Sequence, residues 1–202
     1  MVMRTIYFVT TNSYKFSFFM KAVKIDGVRV KRLGLETPEI QASTCTEVAK
    51  FSAKWAAEKT GKPVVKEDVG IFLNGVGGFP GPYTKHFEDC CGADGMLKLL
   101  EGKRDRSAYW EYSIAYCEPG REPVAFTAKQ PGRIAKKKMG QNGHEADQVF
   151  VPERHDKTIS QIFDGACRGK ALGTFEMVQK SGYKRDESHY KRLKKYLEGV
   201  YA

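Results

Sequence analysis

A chain of 202 residues suits one sizeable α/β domain or two lobes around one cleft. Hydrophobic residues make up 41% and charged residues 29%, which excludes a disordered chain and leaves enough apolar surface for a core. The net charge of +10 points to polyanions, either nucleic acid or nucleotide phosphates, although runs such as Lys136-Lys137-Lys138 are also what a solvated face carries.

Arg4 to Thr10 is rich in β-branched and aromatic residues and reads as a buried strand. It runs into the polar turn Thr11-Asn12-Ser13. A helix follows with Phe16, Phe19, Met20 and Val23 at helical spacing. The turn at Asp26-Gly27 leads to a strand over Val28 to Leu33. Strand, turn, helix, strand is an α/β opening, and ligands in such folds gather where strands run out into loops.

Thr44 and Glu47 have capping-box spacing and open a second helix, which Gly61-Lys62-Pro63 stops. A short strand, Val64 to Lys66, delivers Glu67-Asp68. Gly75 to Pro82 is a turn-rich loop, and Gly92 to Leu100 reads as a helix. Ser107 to Cys117 and Val124 to Ala128 read as strands joined at Glu118-Pro119-Gly120. A basic amphipathic helix spans about Glu187 to Leu197. No stretch reaches membrane-span length, and the N-terminus lacks the regions of a signal peptide, so the expected location is the cytoplasm. The five cysteines include no CxxC pair and read as reduced thiols; the four histidines are scattered and none is read at ligand spacing from a cysteine, which argues against zinc.

Four groups of residues could carry chemistry. Thr10, Asn12 and Lys15 form a strand-to-helix turn that exposes backbone N–H groups beside a lysine, a geometry suited to anions. An ordinary βα turn with a surface lysine has the same pattern. Glu39, Glu67 and Asp68 are acids near strand ends. Adjacent side chains in a strand face opposite ways, so Glu67 and Asp68 should divide their roles, one holding a metal while the other orients water. Solvated loop acids are the plain alternative. Gly77 to Tyr83, with Phe79, Gly81, Tyr83 and then Lys85, is a stiff glycine- and proline-bearing loop that suits phosphate or ribose, or is a structural turn with two packed aromatics. The last group is Asp147, Lys184, Ser188 and His189. Neighbouring Ser188 and His189 cannot readily form a nucleophile–base pair, but they could bond a base edge.

Taken together, VTTNSYK, PEIQ, VVKEDVG, GGFPGPYTKHF, PGRI, ADQVFVPE and SHYKRL occur in the order and rough spacing of the inosine triphosphate pyrophosphatase family. The resemblance covers nearly the whole chain. It implies one domain over residues 1–202, an elongated two-lobed α/β fold with a mixed twisted sheet and a nucleotide cleft between the lobes, and a homodimer. It further implies hydrolysis of purine nucleoside triphosphates such as ITP, dITP and XTP to the monophosphate and pyrophosphate, with Mg2+ as cofactor and Mn2+ as an alternative.

Carried over by matching motif, Asn12 and Lys15 fall in the triphosphate turn, with Thr10 beside them. Glu39 and Glu67 fall among the metal-side acids, and Asp68 matches the acid that activates water and also faces the metal. Phe79, Gly81, Tyr83 and Lys85 fall in the substrate loop. His144, Asp147, Lys184, Ser188 and His189 fall at nucleotide-contacting positions. The chain also departs from the family pattern. Thr11 stands for a glycine, and Ser17 and Phe18 stand where acids are usual. His144 and Ala146 stand for aromatic rings, and Tyr190 for an arginine. The segment 159–173 reads as an insertion. The phosphate side is matched and the base side is not, so the expectation is pyrophosphatase chemistry with weaker discrimination among purines. The rivals are an enzyme of shifted base preference, or a binding relative that has lost turnover and uses its charge on nucleic acid.

Overall fold

The computed structural model describes residues 3–167 and 170–201. In chain order the elements are β1 (Arg4–Val9), α1 (Ser13–Ala22), β2 (Val28–Leu33), α2 (Cys45–Thr60), β3 (Val64–Leu73), β4 (Pro80–Gly81) and α3 (Thr84–Leu99). They continue with β5 (Ser107–Cys117), β6 (Val124–Ile134), β7 (Phe150–Pro152), α4 (Ile159–Cys167), α5 (Thr174–Ser181) and α6 (Ser188–Tyr201). Six strands lie in the order β2-β1-β3-β5-β6-β7, and β4 pairs with β3. β1 is parallel to β2 and to β3, whereas β3–β4 and β6–β7 are antiparallel, so the sheet is mixed and the α/β expectation holds.

The chain divides into two compact units. The first contains Met1–Val69, Tyr112–Ala128 and Asp186–Ala202; the second contains Gly70–Glu111 and Lys129–Arg185.

In the first unit, adjacent residues of β1 point to opposite faces, and each face receives a helix. Phe8 stacks on Phe19 of α1 at 4.6 Å, and Phe19 in turn meets the Tyr190 ring of α6 at 6.0 Å. Val9 instead joins Val64, Ala115 and Cys117 beneath Ala49, Ala53, Ala56 and Ala57 of α2. Small alanine side chains let that helix lie close on the sheet. The sequence signals of α2 are present as read: Thr44 and Glu47 form a complete capping box, and Gly61 ends the helix at φ 65°.

In the second unit, Phe72 stacks on Tyr109 at 4.9 Å, and Trp110 meets Phe150 edge-on at 6.2 Å. Gly132 admits β7: a Cβ there would lie 2.5 Å from the Phe150 ring and from the Val151 carbonyl oxygen. Arg106 donates to the carbonyls of Leu100, Ile134 and Ala135, which ties the end of α3 to the end of β6.

Several boundaries differ from the sequence expectation. β3 does not end at Lys66 but continues to Leu73, because Val69 to Leu73 extend the apolar run; Glu67 and Asp68 therefore sit within a strand. β6 extends through Pro131 to Ile134, where β7 pairs with it. The helix expected from Gly92 begins at Thr84 and is broken at Gly92, whose φ of 58° and ψ of −163° are not helical. Of the segment read as an insertion, α4 fills Ile159–Cys167; residues 168 and 169 lie outside the described residues.

Candidate functional site

The first unit concentrates charge around Asp68. Alternation along β3 puts Lys66 and Asp68 on one face and Glu67 on the other. Asp68 is largely buried, which pushes its carboxyl pKa up; Lys15, a hydrogen bond from Cys45 and Lys66 pull against that rise. Its Oδ2 is buried and has no hydrogen-bond partner among the described residues. Burial lowers the Lys66 pKa, and the neighbouring Lys15 charge lowers it further, while Asp68 and Glu39 oppose both. Lys15, Glu39, Lys66 and Asp68 thus share one electrostatic neighbourhood, with Glu39 exposed on its loop.

Lys15 reaches this place because of the turn before α1. Thr10 Oγ1 accepts from the Asn12 amide at 3.0 Å. Asn12 Oδ1 accepts from the amides of Tyr14 at 2.9 Å and Lys15 at 3.3 Å. Asn12 is therefore the helix cap, and two amides expected to face an anion are held by its side chain. What this turn presents is the Lys15 ammonium.

Glu67 has a different setting. Its Oε1 accepts from the Tyr190 hydroxyl at 2.7 Å and lies 3.3 Å from His189 Nε2. His189 is fully buried, with its ring parallel to Tyr112 at 5.7 Å. The three acids assigned to the metal side have different partners: Asp68 and Glu39 both act on Lys66, while Glu67 bonds to α6 and its charge pushes the Asp68 pKa further up. Among the described residues no group of three His, Cys, Asp or Glu side chains is placed to hold a metal ion. Asp68 remains suited to a cation, since a buried carboxylate oxygen without a protein partner is what a hard divalent ion satisfies. Ser188 starts α6, its amide donating to Asp186 Oδ1 at 2.8 Å. Tyr190, which stands where the family pattern has an arginine, is fully buried, with its ring packed on Phe19 and His189.

In the second unit, the Gly77–Tyr83 loop leaves Phe79 and Tyr83 exposed, 45% and 38%, enough for both rings to meet a ligand. Gly81 is required at its place: φ is 56° and a Cβ would lie 3.0 Å from the Phe72 ring. Lys85 is exposed and pairs with Asp89 at 2.7 Å, while Lys184 is exposed on the chain after α5. Asp147 lies in the 3-10 turn Ala146–Gln148. Burial raises its pKa to about 6, against the opposing effect of the His144 amide, which donates to its Oδ2 at 2.8 Å. The His144 side chain is exposed, and Ala146 is fully buried.

Some features lie outside the residues chosen from sequence. Lys66 was legible, since it stands two residues from Asp68 on the same strand face. The contact between Cys45 and Asp68 joins the start of α2 to β3 and carries no motif. His86 and Cys90 are four residues apart on α3, and His86 Nε2 lies 3.8 Å from Cys90 Sγ, so one histidine does have a cysteine at helical ligand spacing.

Comparison with known proteins matches residues 6–172 to the profile of the Ham1 family. A dITP/XTP pyrophosphatase of Methanopyrus kandleri is 39% identical over 173 residues, covering 83% of this chain and 92% of the relative. One from Thermococcus kodakarensis is 36% identical, covering 83% and 93%. Among solved structures, the Ham1 protein of Staphylococcus aureus superposes with a TM-score of 0.76 at 24% identity, covering 98% of this chain and 100% of its own. A HAM1 protein from Coxiella burnetii gives 0.73 at 23%, covering 98% of each chain. These structural likenesses agree with the mixed α/β architecture.

Proposed function

The chain belongs to the Ham1 family, and from that premise we propose that it hydrolyses nucleoside triphosphates of non-standard purines, dITP, XTP and ITP, to the monophosphate and pyrophosphate. The observation that carries the reading is Asp68, a buried carboxylate with one unpartnered oxygen and two lysines beside it. Such a group could hold a divalent cation or take a proton from water. The named relatives, dITP/XTP pyrophosphatases, supply the substrate class.

Water attacks the α-phosphorus, the bond to the bridging oxygen breaks, and pyrophosphate leaves with that oxygen. Asp68 orients the water and takes its proton; burial raises its proton affinity, which favours this role. Lys15 and Lys66 neutralise negative charge on the phosphates as the bond breaks. Asp68 with Glu39 would hold Mg2+, with Mn2+ as an alternative, and the bound ion would draw charge from the phosphate oxygens. Glu67, held by Tyr190 and His189, keeps β3 and α6 together behind Asp68. Phe79, Tyr83 and Lys85 supply rings and a charge for the nucleotide, and His144, Asp147 and Lys184 further polar contacts. With Ala146 and Tyr190 buried where the family pattern has a ring and an arginine, discrimination between altered and standard purines should be weaker than in a typical member. A cytoplasmic homodimer completes the proposal.

The test is pyrophosphate release from ITP, dITP, XTP, UTP and the standard nucleotides, with and without Mg2+, for the wild type and Asp68→Asn. The amide keeps the shape but neither the charge nor the basicity, so turnover should fall about a hundredfold or more while the variant stays folded. Near-normal turnover by folded Asp68→Asn would remove Asp68 from the mechanism. Nucleotide binding without pyrophosphate release by the wild type would favour a non-catalytic relative.

A further inference from the structure

Glu88 and Glu145 are two carboxylates that the chemistry above leaves unused. Each reaches across to the other's element. Because α3 breaks at Gly92, Ala93 begins a second helical run, and its amide has no acceptor within the helix. Glu145 Oε2 accepts from that amide at 2.9 Å. The 3-10 turn that carries Asp147 starts at Ala146, whose amide donates to Glu88 Oε1 at 2.8 Å. Each segment thus caps the start of the other. Gly92 is fitted to this arrangement: its φ is 58°, and a Cβ would stand 3.1 Å from Glu145 Oε2. The turn itself has little room, since a Cβ on Gly143 would fall 2.6 Å from Asp147 Oδ2.

The same helix begins at the Phe79–Tyr83 loop. The Tyr83 carbonyl accepts from the Phe87 amide at 2.9 Å, and the Phe79 ring stands edge-on to the Phe87 ring at 5.5 Å. Glu88 is the next residue. One helix therefore carries the exposed loop aromatics at its start and, from its middle, the bond that fixes the Asp147 turn.

We infer that Glu88 and Glu145 are positioning residues: their reciprocal caps lock the His144–Asp147 turn to α3 and so hold it in register with the Phe79–Tyr83 loop. The mechanical half of this inference rests on the hydrogen bonds alone; its kinetic half rests on the reading that both segments contact the nucleotide.

The experiment measures backbone amide exchange and steady-state dITP hydrolysis on Glu88→Ala, Glu88→Gln and Glu145→Ala. In Glu88→Ala the Ala146 amide should exchange about tenfold faster or more, as expected from losing one charge-assisted hydrogen bond. KM for dITP should rise by about the same factor with kcat within about twofold. Glu88→Gln keeps an acceptor oxygen in place and should restore both. Glu145→Ala should expose the Ala93 amide and raise KM likewise; it carries the same test should Glu88→Ala fail to fold. A merely structural pair would lower the melting temperature and leave KM unchanged well below it, and that result would overturn the positioning role. Unchanged exchange at Ala146 and Ala93 would overturn the caps themselves. A wild type that does not hydrolyse dITP sinks the functional reading, while exchange still decides the caps.

Discussion

Asp68 and Asp147 are both buried acids, and burial raises the pKa of each. Their surroundings separate them. An acid pushes each further up, Glu67 at Asp68 and Glu88 at Asp147, but Asp68 has the lysines Lys15 and Lys66 to oppose it. Lys15→Ala should therefore weaken pyrophosphate inhibition, roughly 10- to 100-fold, as the loss of one charge-assisted contact. Competition kinetics would show it, and unchanged pyrophosphate affinity would place the phosphates elsewhere. Asp147 is the residue to follow with pH. The folded protein holds its proton up to about pH 6, whereas the ordinary aspartate value is 3.8. The folded state thus binds more protons between these values, so stability falls as pH rises through that window and the cost is complete above it. Asp147→Asn removes the cost. At pH 8 the variant should unfold at higher urea, by on the order of 1–3 kcal/mol, and below about pH 4 the two proteins should converge. Parallel curves across that range would show that Asp147 titrates normally.

At the scale of elements, α2 is the best-signalled part of the chain. Thr44→Ala removes the cap side chain and should cost about 1 kcal/mol in a urea titration, with the slope unchanged; no loss of stability would mean the capping box is redundant. That helix was legible because its start, stop and alanine face are all local signals. The extent of β3 was not, because Glu67 and Asp68 look like a strand end. A strand interior tolerates them only because α6, more than a hundred residues later, brings Tyr190 and His189 to Glu67. The same distance hid the role of Tyr190: SHYKRL reads as a polar helix start, yet Tyr190 is wholly enclosed. Asn12 was found by its turn, but its work as a cap on Tyr14 and Lys15 follows from the geometry of the helix start. Glu88 and Glu145 sit 57 positions apart in sequences without motif character, so their pairing with distant amides had no local trace.

For the whole molecule, charge is the property that survives from composition to function. A net charge of +10 attracts a triphosphate at long range, and salt screens that attraction over about 8–10 Å. kcat/KM for dITP should fall several-fold between about 0.05 and 0.3 M KCl; a flat profile would mean that only the local lysines matter. The first compact unit is assembled from three stretches of sequence, and the last of them holds α6. On the ribosome, residues 186–202 are made after every other part of that unit. The nascent chain therefore carries Glu67 without Tyr190 and His189 until α6 is made. Completion of this unit waits on the synthesis of α6, and the emerging β1–β3 layer is a segment for chaperones to shield until α6 arrives.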